Sequence, residues 1–407
     1  MRILLSIVAI VSLARAQEVG QPLPPWTPGT LDIHQINTGR GNSALLIFPD
    51  GTSMLLDAGD LGNALPHGPA ARPDSSRRPG EWIARYVRHM LAYEPNPILD
   101  YGYLTHFHDD HMGHLLPDSK AVHNGAYKLT GITEVGDSIP IKLMLDRGWP
   151  DYNYPAPLKE PLIANYRAFL EWQRAHNGMT VERLQPGRND QIVLRHDRAK
   201  YPNFEVRNIA GDGEVWTGFG TNTRAHHPRI ADLKPEDYPT ENMCSNVIRV
   251  SYGKFDYYSG GDIPGVHREG FPVWNDMETP VAQAVGPVEV ALVNHHGNRD
   301  SQNAFFVSTL SPQVFIVSVW SPDHPGHDVL DRMYSERLYP GPRDVFTTNM
   351  VEANRIVIGR LTDRLKSSQG HVVVRVAPGG ATFHVIILDD SAETYRVKAV
   401  FGPYQSR

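Results

Sequence analysis

Apolar and polar positions alternate in short runs at both ends of the chain. Near its start, residues 31–37, 43–48 and 54–56 follow the period of a strand, and glycine-rich and Pro-Asp-Gly turns separate them. The apolar run at 99–105 is typical of a buried strand. The later part of the chain predicts six more strands, at 247–252, 255–259, 288–293, 314–319, 372–376 and 382–388.

Between these strands, apolar residues recur at helical spacing. This spacing predicts helices near 82–91, 158–176, 301–310, 327–338 and 352–365. Helices that connect strands are typical of two sheets with helices on their outer faces, so we expect an α/β protein built as a four-layer αββα sandwich.

Residues 115–202 depart from this pattern, because they contain few strands and several aromatic side chains. We predict that this segment is a large insertion. Its aromatic residues either cover a cleft or form the core of the insertion itself.

Composition places the chain among globular proteins. Of its 407 residues 41% are hydrophobic and 21% are charged, which is enough apolar surface for a large core. The net charge of −6 gives no global basic field for nucleic acid or lipid, although a local basic groove would suffice. The single cysteine, Cys244, excludes an internal disulfide and a cysteine-rich zinc module, and we expect it to be buried.

The N-terminus is typical of a secretory signal peptide. A positive residue precedes an apolar stretch at 3–13, and small residues follow at the expected cleavage point. We therefore expect a signal peptide at 1–16, a proline-rich arm at 17–30 and one domain at 31–407, in a secreted or periplasmic protein. No later apolar run is long enough to cross a bilayer, so no integral membrane domain is expected.

Metal-binding side chains cluster directly after the strand at 99–105. His106 and His108 are two residues apart on an extended segment, so they project to the same side, and Asp110 and His111 follow in the turn. Imidazole nitrogens with a carboxylate suit Zn²⁺, and additional oxygen ligands would suit Mn²⁺. The alternative is a solvated loop that is merely rich in histidine.

The spacing of these four residues resembles the signature loop of the metallo-β-lactamase superfamily. Residues 54–59 resemble the strand and Asp-x-Gly turn that precede this loop, and residues 259–262 resemble the strand that ends in a metal-bridging aspartate. The resemblance implies the metallo-β-lactamase fold and a metal-dependent hydrolase.

Within the superfamily, the chain is most similar to the hydrolase domain of ComEC-type competence proteins. Residues 31–52 resemble its opening hairpin, 294–301 its His-His-Gly loop, and 324–330 its His-Pro loop. We expect no counterpart of the transmembrane channel of those proteins in this sequence.

The resemblance implies two divalent metal ions, with Zn²⁺ as the first choice and Mn²⁺ as the alternative. The implied metal ligands are His106, His108, Asp110, His111, Asp262 and His295. The third ligand of the first metal stays open between Glu241, Asn242 and a water, and the pair His226 and His227 is a rival.

Further roles are implied for residues around these ligands. Asp110 would also act as a catalytic base, and His296 would orient or contact the substrate. Asp57 would fix a ligand histidine, while Asn298 and Arg299 are candidate substrate contacts.

These observations predict a secreted dinuclear hydrolase that uses a metal-bound hydroxide. The first expected target is a phosphodiester bond, as in nucleic acids. The substrate that contains this bond is either a small molecule or a polymer. One alternative is an ester, lactone or β-lactam, and another is a metal-bearing envelope module without turnover. The sequence leaves the oligomeric state undetermined.

Overall fold

Two large β-sheets form the centre of the protein. The computed structural model describes residues 17–62, 65, 67–266 and 270–407, so the expected signal peptide at 1–16 lies outside the described residues. The strands are β1 Leu31–Gln35, β2 Ala44–Ile47, β3 Ser53–Leu56, β4 Leu99–Tyr103, β5 Ala121–Val122, β6 Tyr127–Lys128, β7 Ile141–Asp146, β8 Thr180–Arg183, β9 Phe204–Gly211, β10 Glu214–Trp216, β11 Thr223–Ala225, β12 Val247–Tyr252, β13 Phe255–Ser259, β14 Val290–Leu292, β15 Val314–Val317, β16 Asp344–Thr347, β17 His371–Val376, β18 Thr382–Leu388 and β19 Val397–Gln405.

The strands are ordered β19-β18-β17-β1-β2-β3-β4-β7-β8 in the first sheet and β11-β10-β9-β12-β13-β14-β15-β16 in the second. Strands β5 and β6 form a separate pair. The α-helices are α1 Pro79–Met90, α2 Asp109–Met112, α3 Gly131–Ser138, α4 Pro161–Asn177, α5 Glu278–Val285, α6 Ala304–Leu310, α7 His327–Tyr334 and α8 Glu352–Ile358.

Three apolar layers hold these elements together. Side chains of both sheets, such as Leu46 and Val250, form a core between the sheets. A second core joins α1, α3 and α4 to the outer face of the first sheet, and a third joins α5 to α8 to the outer face of the second. The predicted four-layer αββα sandwich is confirmed.

Burial on both faces explains why the central strands have continuous apolar sequences. All four residues of β2 and of β3 are buried, since each strand has neighbours on both sides and cores on both faces. Helices begin where the sequence supplies suitable residues: α1 and α4 have proline at the first turn, and Thr130 and Thr133 form a capping box for α3.

Part of the segment predicted as an insertion, 115–202, contributes to the first sheet. Strands β7 and β8 extend the first sheet beyond β4 in parallel, and α3 and α4 cover its outer face. This part of the segment belongs to the sandwich, because β7 buries five of its six residues. Tyr152 and Tyr166 lie in the same core, at 1% and 0% exposure, so these aromatic residues serve packing.

The topology gathers several loops at one edge of the sandwich. Strands β3 and β4 run parallel in one sheet, and β13, β14 and β15 run parallel in the other. Loops that follow the carboxyl ends of these strands carry the residues singled out by the sequence. None of the described helices is long and apolar enough to cross a membrane.

Candidate metal centre

The loop after β4 holds the first group of candidate ligands. His106 is fully buried in the extended segment, while Asp110 and His111 lie on the single turn of α2. The loop is anchored to the turn after β3, since the backbone N–H of Thr105 donates to Asp57 Oδ1 over 2.8 Å. The side chains therefore have a fixed position at the edge of the first sheet.

Asp110, His111, Asp262 and His296 form one buried cluster, whose ligand atoms lie within 4.8 Å of one another. His111 Nε2 is 3.1 Å from Asp262 Oδ1 and 3.1 Å from His296 Nε2. His296 Nε2 is 2.9 Å from Asp110 Oδ2. Two carboxylates and two imidazoles from both sheets thus converge on one small volume.

His106, His108 and Asp262 form a second cluster of the same dimensions. His106 Nε2 lies 3.1 Å from His108 Nδ1 and 3.8 Å from Asp262 Oδ2. Asp262 is common to both clusters, so its two carboxylate oxygens lie between two groups of potential ligands.

The expected ligand of the His-His-Gly loop was His295, but the structure brings His296 into the cluster. Both residues have a positive φ, 49° and 54°, which turns their side chains in different directions. His296 Nδ1 donates to the Ser318 carbonyl over 3.0 Å, which leaves Nε2 facing the cluster. His295 Nδ1 donates to Asp300, and its Nε2 lies 3.2 Å from Asn242 Nδ2 and 3.9 Å from Asp262 Oδ2.

Asp57 lies behind His111 and touches no other candidate ligand of the cluster directly. Its Oδ2 accepts from His111 Nδ1 over 2.7 Å, from Thr105 Oγ1 over 2.9 Å and from Asn42 Nδ2 over 2.9 Å. The contact with Nδ1 leaves His111 Nε2 free to face Asp110 and Asp262. Asp57 therefore occupies an orienting position.

Glu241 was one candidate for the third ligand of the first metal, and the structure commits it elsewhere. Its Oε1 accepts from the Phe107 N–H over 2.8 Å and from Arg147 Nε over 2.7 Å, while Oε2 accepts from Arg147 Nη2. Arg147 is 1% exposed and also donates to Asp212. Glu241 thus holds the backbone between His106 and His108 instead of facing the cluster.

Asn242 and a water remain as candidates for that third position. The Asn242 Oδ1 is buried and has no hydrogen-bond partner among the described residues. His227, from the rival histidine pair, is instead buried against Tyr154, whose hydroxyl lies 2.9 Å from its Nδ1. His226 and His227 belong to neither cluster found among the described residues.

The two expected substrate contacts lie at the rim of the site. Asn298 Nδ2 is 3.4 Å from His295 Nε2, and Asn298 Oδ1 accepts from the Arg299 N–H over 2.8 Å. Arg299 is exposed, so its positive charge is accessible to a substrate. His114 contacts Asp109 with a side chain that is 41% exposed, away from both clusters.

The electrostatics of the clusters fit divalent cations. Burial alone would raise the pKa of Asp262, but the charges of His111 and His296 hold that pKa well below its usual value. Burial likewise favours neutral His296, yet Asp262 and Asp110 raise its pKa to about 9. The ionised carboxylates thus attract positive charge, and cations bound here would displace protons. Four imidazoles and two carboxylates form a donor set that suits Zn²⁺ or Mn²⁺.

The sequence did not reveal several neighbours of the site. His324 is 3% exposed and stacks on His296 with ring centroids 5.2 Å apart, and Trp320 meets the same ring edge-on. The resemblance of residues 324–330 to the His-Pro loop indicated that His324 could lie near the site. Its contact with His296, however, depends on the turn after β15, which the sequence does not predict. No feature of the sequence indicated Arg147, because the strand before it, β7, was not predicted.

Comparisons with known proteins give limited matches. No family model matches the chain. An alignment of 166 positions with Recombination protein 2 of Haemophilus influenzae shows 26% identity and covers 36% of this chain and only 20% of that protein's length. A crystal structure of a diphosphatase from the PhnP family superposes on 86% of this chain and 98% of its own, with 10% identity and a TM-score of 0.34. The fold follows from the strand order and from the three apolar layers described above.

The fold and the site together resemble those of one class of proteins. An αββα sandwich carries a His-x-His-x-Asp-His loop at the carboxyl ends of its parallel strands, and this loop faces an aspartate and a histidine from the second sheet. This arrangement resembles that of metal-dependent hydrolases with the metallo-β-lactamase fold, the class that the sequence motifs predict.

Proposed function

We propose that the protein is a dinuclear metal-dependent hydrolase that cleaves phosphodiester bonds. One observation carries the proposal: Asp262 belongs to two adjoining groups of ligand atoms, each compact enough for one cation. A shared carboxylate is what two-metal hydrolytic sites need, because it keeps two cations close without filling either coordination sphere.

His106, His108 and Asp262 would hold one cation, and Asp110, His111, Asp262 and His296 the other. Zn²⁺ is the first choice for this nitrogen-rich set and Mn²⁺ the second. Asn242 or a water would complete the first site. Bound cations would supply Lewis acidity and lower the pKa of water.

The remaining steps follow from side chains of the chain itself. Asp110, next to His296, takes a proton from the attacking water at a carboxylate oxygen. The water oxygen bonds to phosphorus as the bond to the leaving alcohol breaks, and the proton is returned to that alcohol. Asn298 and Arg299, at the rim, would bind the phosphate oxygens that do not react.

Two similarities support phosphodiesters as the substrate class. The motifs resemble the ComEC-type hydrolase domain. In addition, the relative that matches over part of its length is named for recombination. The proposal that the protein is secreted or periplasmic rests on the sequence of residues 1–16 alone.

The experiment is an activity panel with purified protein and added Zn²⁺ or Mn²⁺. We expect hydrolysis of bis-p-nitrophenyl phosphate, and we expect His108→Ala and Asp262→Ala to lose activity on the order of a hundredfold. The matched control His114→Ala removes an imidazole outside both clusters and should stay close to wild type. Wild-type activity in Asp262→Ala would refute the shared site.

A carboxylic ester or lactone is the second candidate substrate. The cavity beside His108 favours it, since the residues that line this cavity include carboxylates and no lysine or arginine. In the same panel, cleavage of p-nitrophenyl esters or nitrocefin with intact phosphodiesters would replace the first candidate by the second.

A further inference from the structure

A cavity of about 300 Å³ adjoins the metal centre on the side of His108. Its apolar wall consists of Phe107 from the metal loop and of Leu158, Leu162 and Ile163 around the start of α4. Phe107 and Ile163 are 6% and 3% exposed and belong to the core under the first sheet. The wall is therefore preformed and is held by the core.

The same cavity adjoins the reacting centre. His108 lines this cavity, and its Nδ1 lies 3.1 Å from His106 Nε2 within the second cluster. A substrate whose reacting phosphorus lies over the clusters would therefore place one of its two substituents against this wall.

The polar part of the lining selects against negative charge. Asp109, Glu160 and Glu241 line the cavity, and the positive charge of Arg147 already pairs with Glu241 and Asp212. A second phosphate placed there would meet carboxylates and would lose its hydration. An uncharged ring or alkyl chain would lose only unfavourable contact with water.

We propose that this cavity binds an uncharged apolar substituent, an aryl or alkyl group, of the phosphodiester substrate. The inference rests on the proposed function and narrows its substrate class. In a nucleic acid strand, each nucleotide next to the reacting bond brings another phosphate, whereas the preferred substrate is a diester with a single negative charge.

Binding tests the cavity without turnover. Calorimetric titration of the metal-loaded protein would compare diphenyl phosphate with dimethyl phosphate, which carry the same charge. We expect diphenyl phosphate to bind at least about tenfold more tightly, because a ring buries more apolar surface than a methyl group. Leu162→Asp should remove most of this preference, and Leu162→Ala should remove part of it. The matched control Ile356→Asp, at a side chain 69% exposed on α8, should keep it.

Kinetics separate this inference from the proposed function. Methyl and phenyl p-nitrophenyl phosphate share the bond that breaks, the leaving group and the charge. We expect kcat/KM to be roughly tenfold higher for the phenyl diester, and this ratio to fall in Leu162→Asp.

Equal binding of the two diesters, equal kcat/KM, or a ratio unchanged in Leu162→Asp would overturn the cavity assignment while hydrolysis stands. Preferential binding of diphenyl phosphate without hydrolysis of any diester would overturn the proposed function and leave the cavity assignment in place.

Discussion

Single hydrogen bonds at the back of the site decide which imidazole nitrogen faces the other candidate ligands. His111 and His296 both donate through Nδ1, to Asp57 and to the Ser318 carbonyl, so that each Nε2 points into the cluster. Neither partner is a candidate ligand, yet both fix the ligand geometry. The geometry of the candidate ligands therefore depends on residues that would not touch a bound cation.

The substitution Asp57→Asn tests this dependence. An amide at this position presents an N–H as well as an oxygen, so it no longer enforces donation from His111 Nδ1. We expect metal affinity to fall by about 10- to 100-fold, as measured by competition with a chelating dye. The control Asp118→Asn changes an exposed carboxylate and should bind metal as wild type does. Unchanged affinity in Asp57→Asn would show that His111 is oriented by other contacts.

A buried ion pair far from the site gives a prediction about pH. Asp32 on β1 accepts from Arg375 on β17 at both oxygens, over 2.9 and 2.6 Å. Burial would raise the pKa of Asp32, but the charge of Arg375 and the hydrogen bonds to His34 and Arg375 together outweigh burial and lower the pKa from 3.8 to about 2. Between these two pKa values, the unfolded chain binds a proton at Asp32 more readily than the folded chain does. The ionised Asp32 therefore contributes about 2 kcal/mol to the free energy of unfolding. This contribution is complete above pH 4 and is lost as the pH falls through about 2.

Urea unfolding at pH 4.5, 3.5 and 2.5 would check this. The difference in unfolding free energy between wild type and Asp32→Asn should shrink as the pH falls. A difference that stays constant across these three values would contradict the assigned pKa. Asp118→Asn again serves as the control, and it should show no such trend.

At the scale of elements, the metal loop depends on a close approach of two backbones. A Cβ on Gly59, in the turn after β3, would lie 1.9 Å from the Asp110 carbonyl oxygen and 2.8 Å from the Asn42 nitrogen. Only glycine lets this turn pass beside α2. The contact positions Asp110 and His111 relative to the end of β3.

Gly59→Ala should therefore displace α2. We expect a lower unfolding temperature together with weaker metal binding, measured by circular dichroism and dye competition. The comparison variant Gly125→Ala has open space around its Cβ and a positive φ of 86°, so it should lose a little stability and keep its metal affinity. Normal metal affinity in Gly59→Ala would show that the loop tolerates the shift.

The elements that the sequence predicted are those with a strong local pattern. Strands β12, β13 and β18 have the predicted bounds, because they carry apolar runs between clear turns. Strand β7 was missed since it lies among loops, and β19 because Gly402 and Pro403 interrupt it at the edge of the sheet. Pairings such as β1 with β17 join distant parts of the chain, so no local pattern encodes them.

The same limit applies to the site. Four candidate ligands lie within six consecutive residues, so their proximity could be predicted from the sequence alone. The choice between His295 and His296 depends on a turn with two positive φ values and on a carbonyl after β15. The commitment of Glu241 to Arg147 depends on β7. Both could be determined only from the tertiary structure.

At the scale of the whole molecule, the centre joins the two halves of the sandwich. The first sheet and its loops contribute His106 and His111, and the second contributes Asp262 and His296. Cations bound here would link the sheets and would bind only the folded chain. Metal binding should therefore stabilise the fold, by about 3 kcal/mol when the free metal is 100-fold above its Kd.

Thermal unfolding of chelator-treated protein, with and without added Zn²⁺, would measure this. We expect a rise of several degrees in the wild type and a much smaller one in Asp262→Ala. An equal rise in both would place the stabilising metal elsewhere on the molecule.

The most direct measurement is anomalous diffraction from crystals of the protein loaded with Zn²⁺, recorded above and below the zinc absorption edge. We expect two anomalous peaks on either side of the Asp262 carboxylate, one against His106 and His108 and the other against Asp110, His111 and His296. Peaks only outside these clusters, or a single peak that Asp262 does not contact, would contradict the shared metal centre.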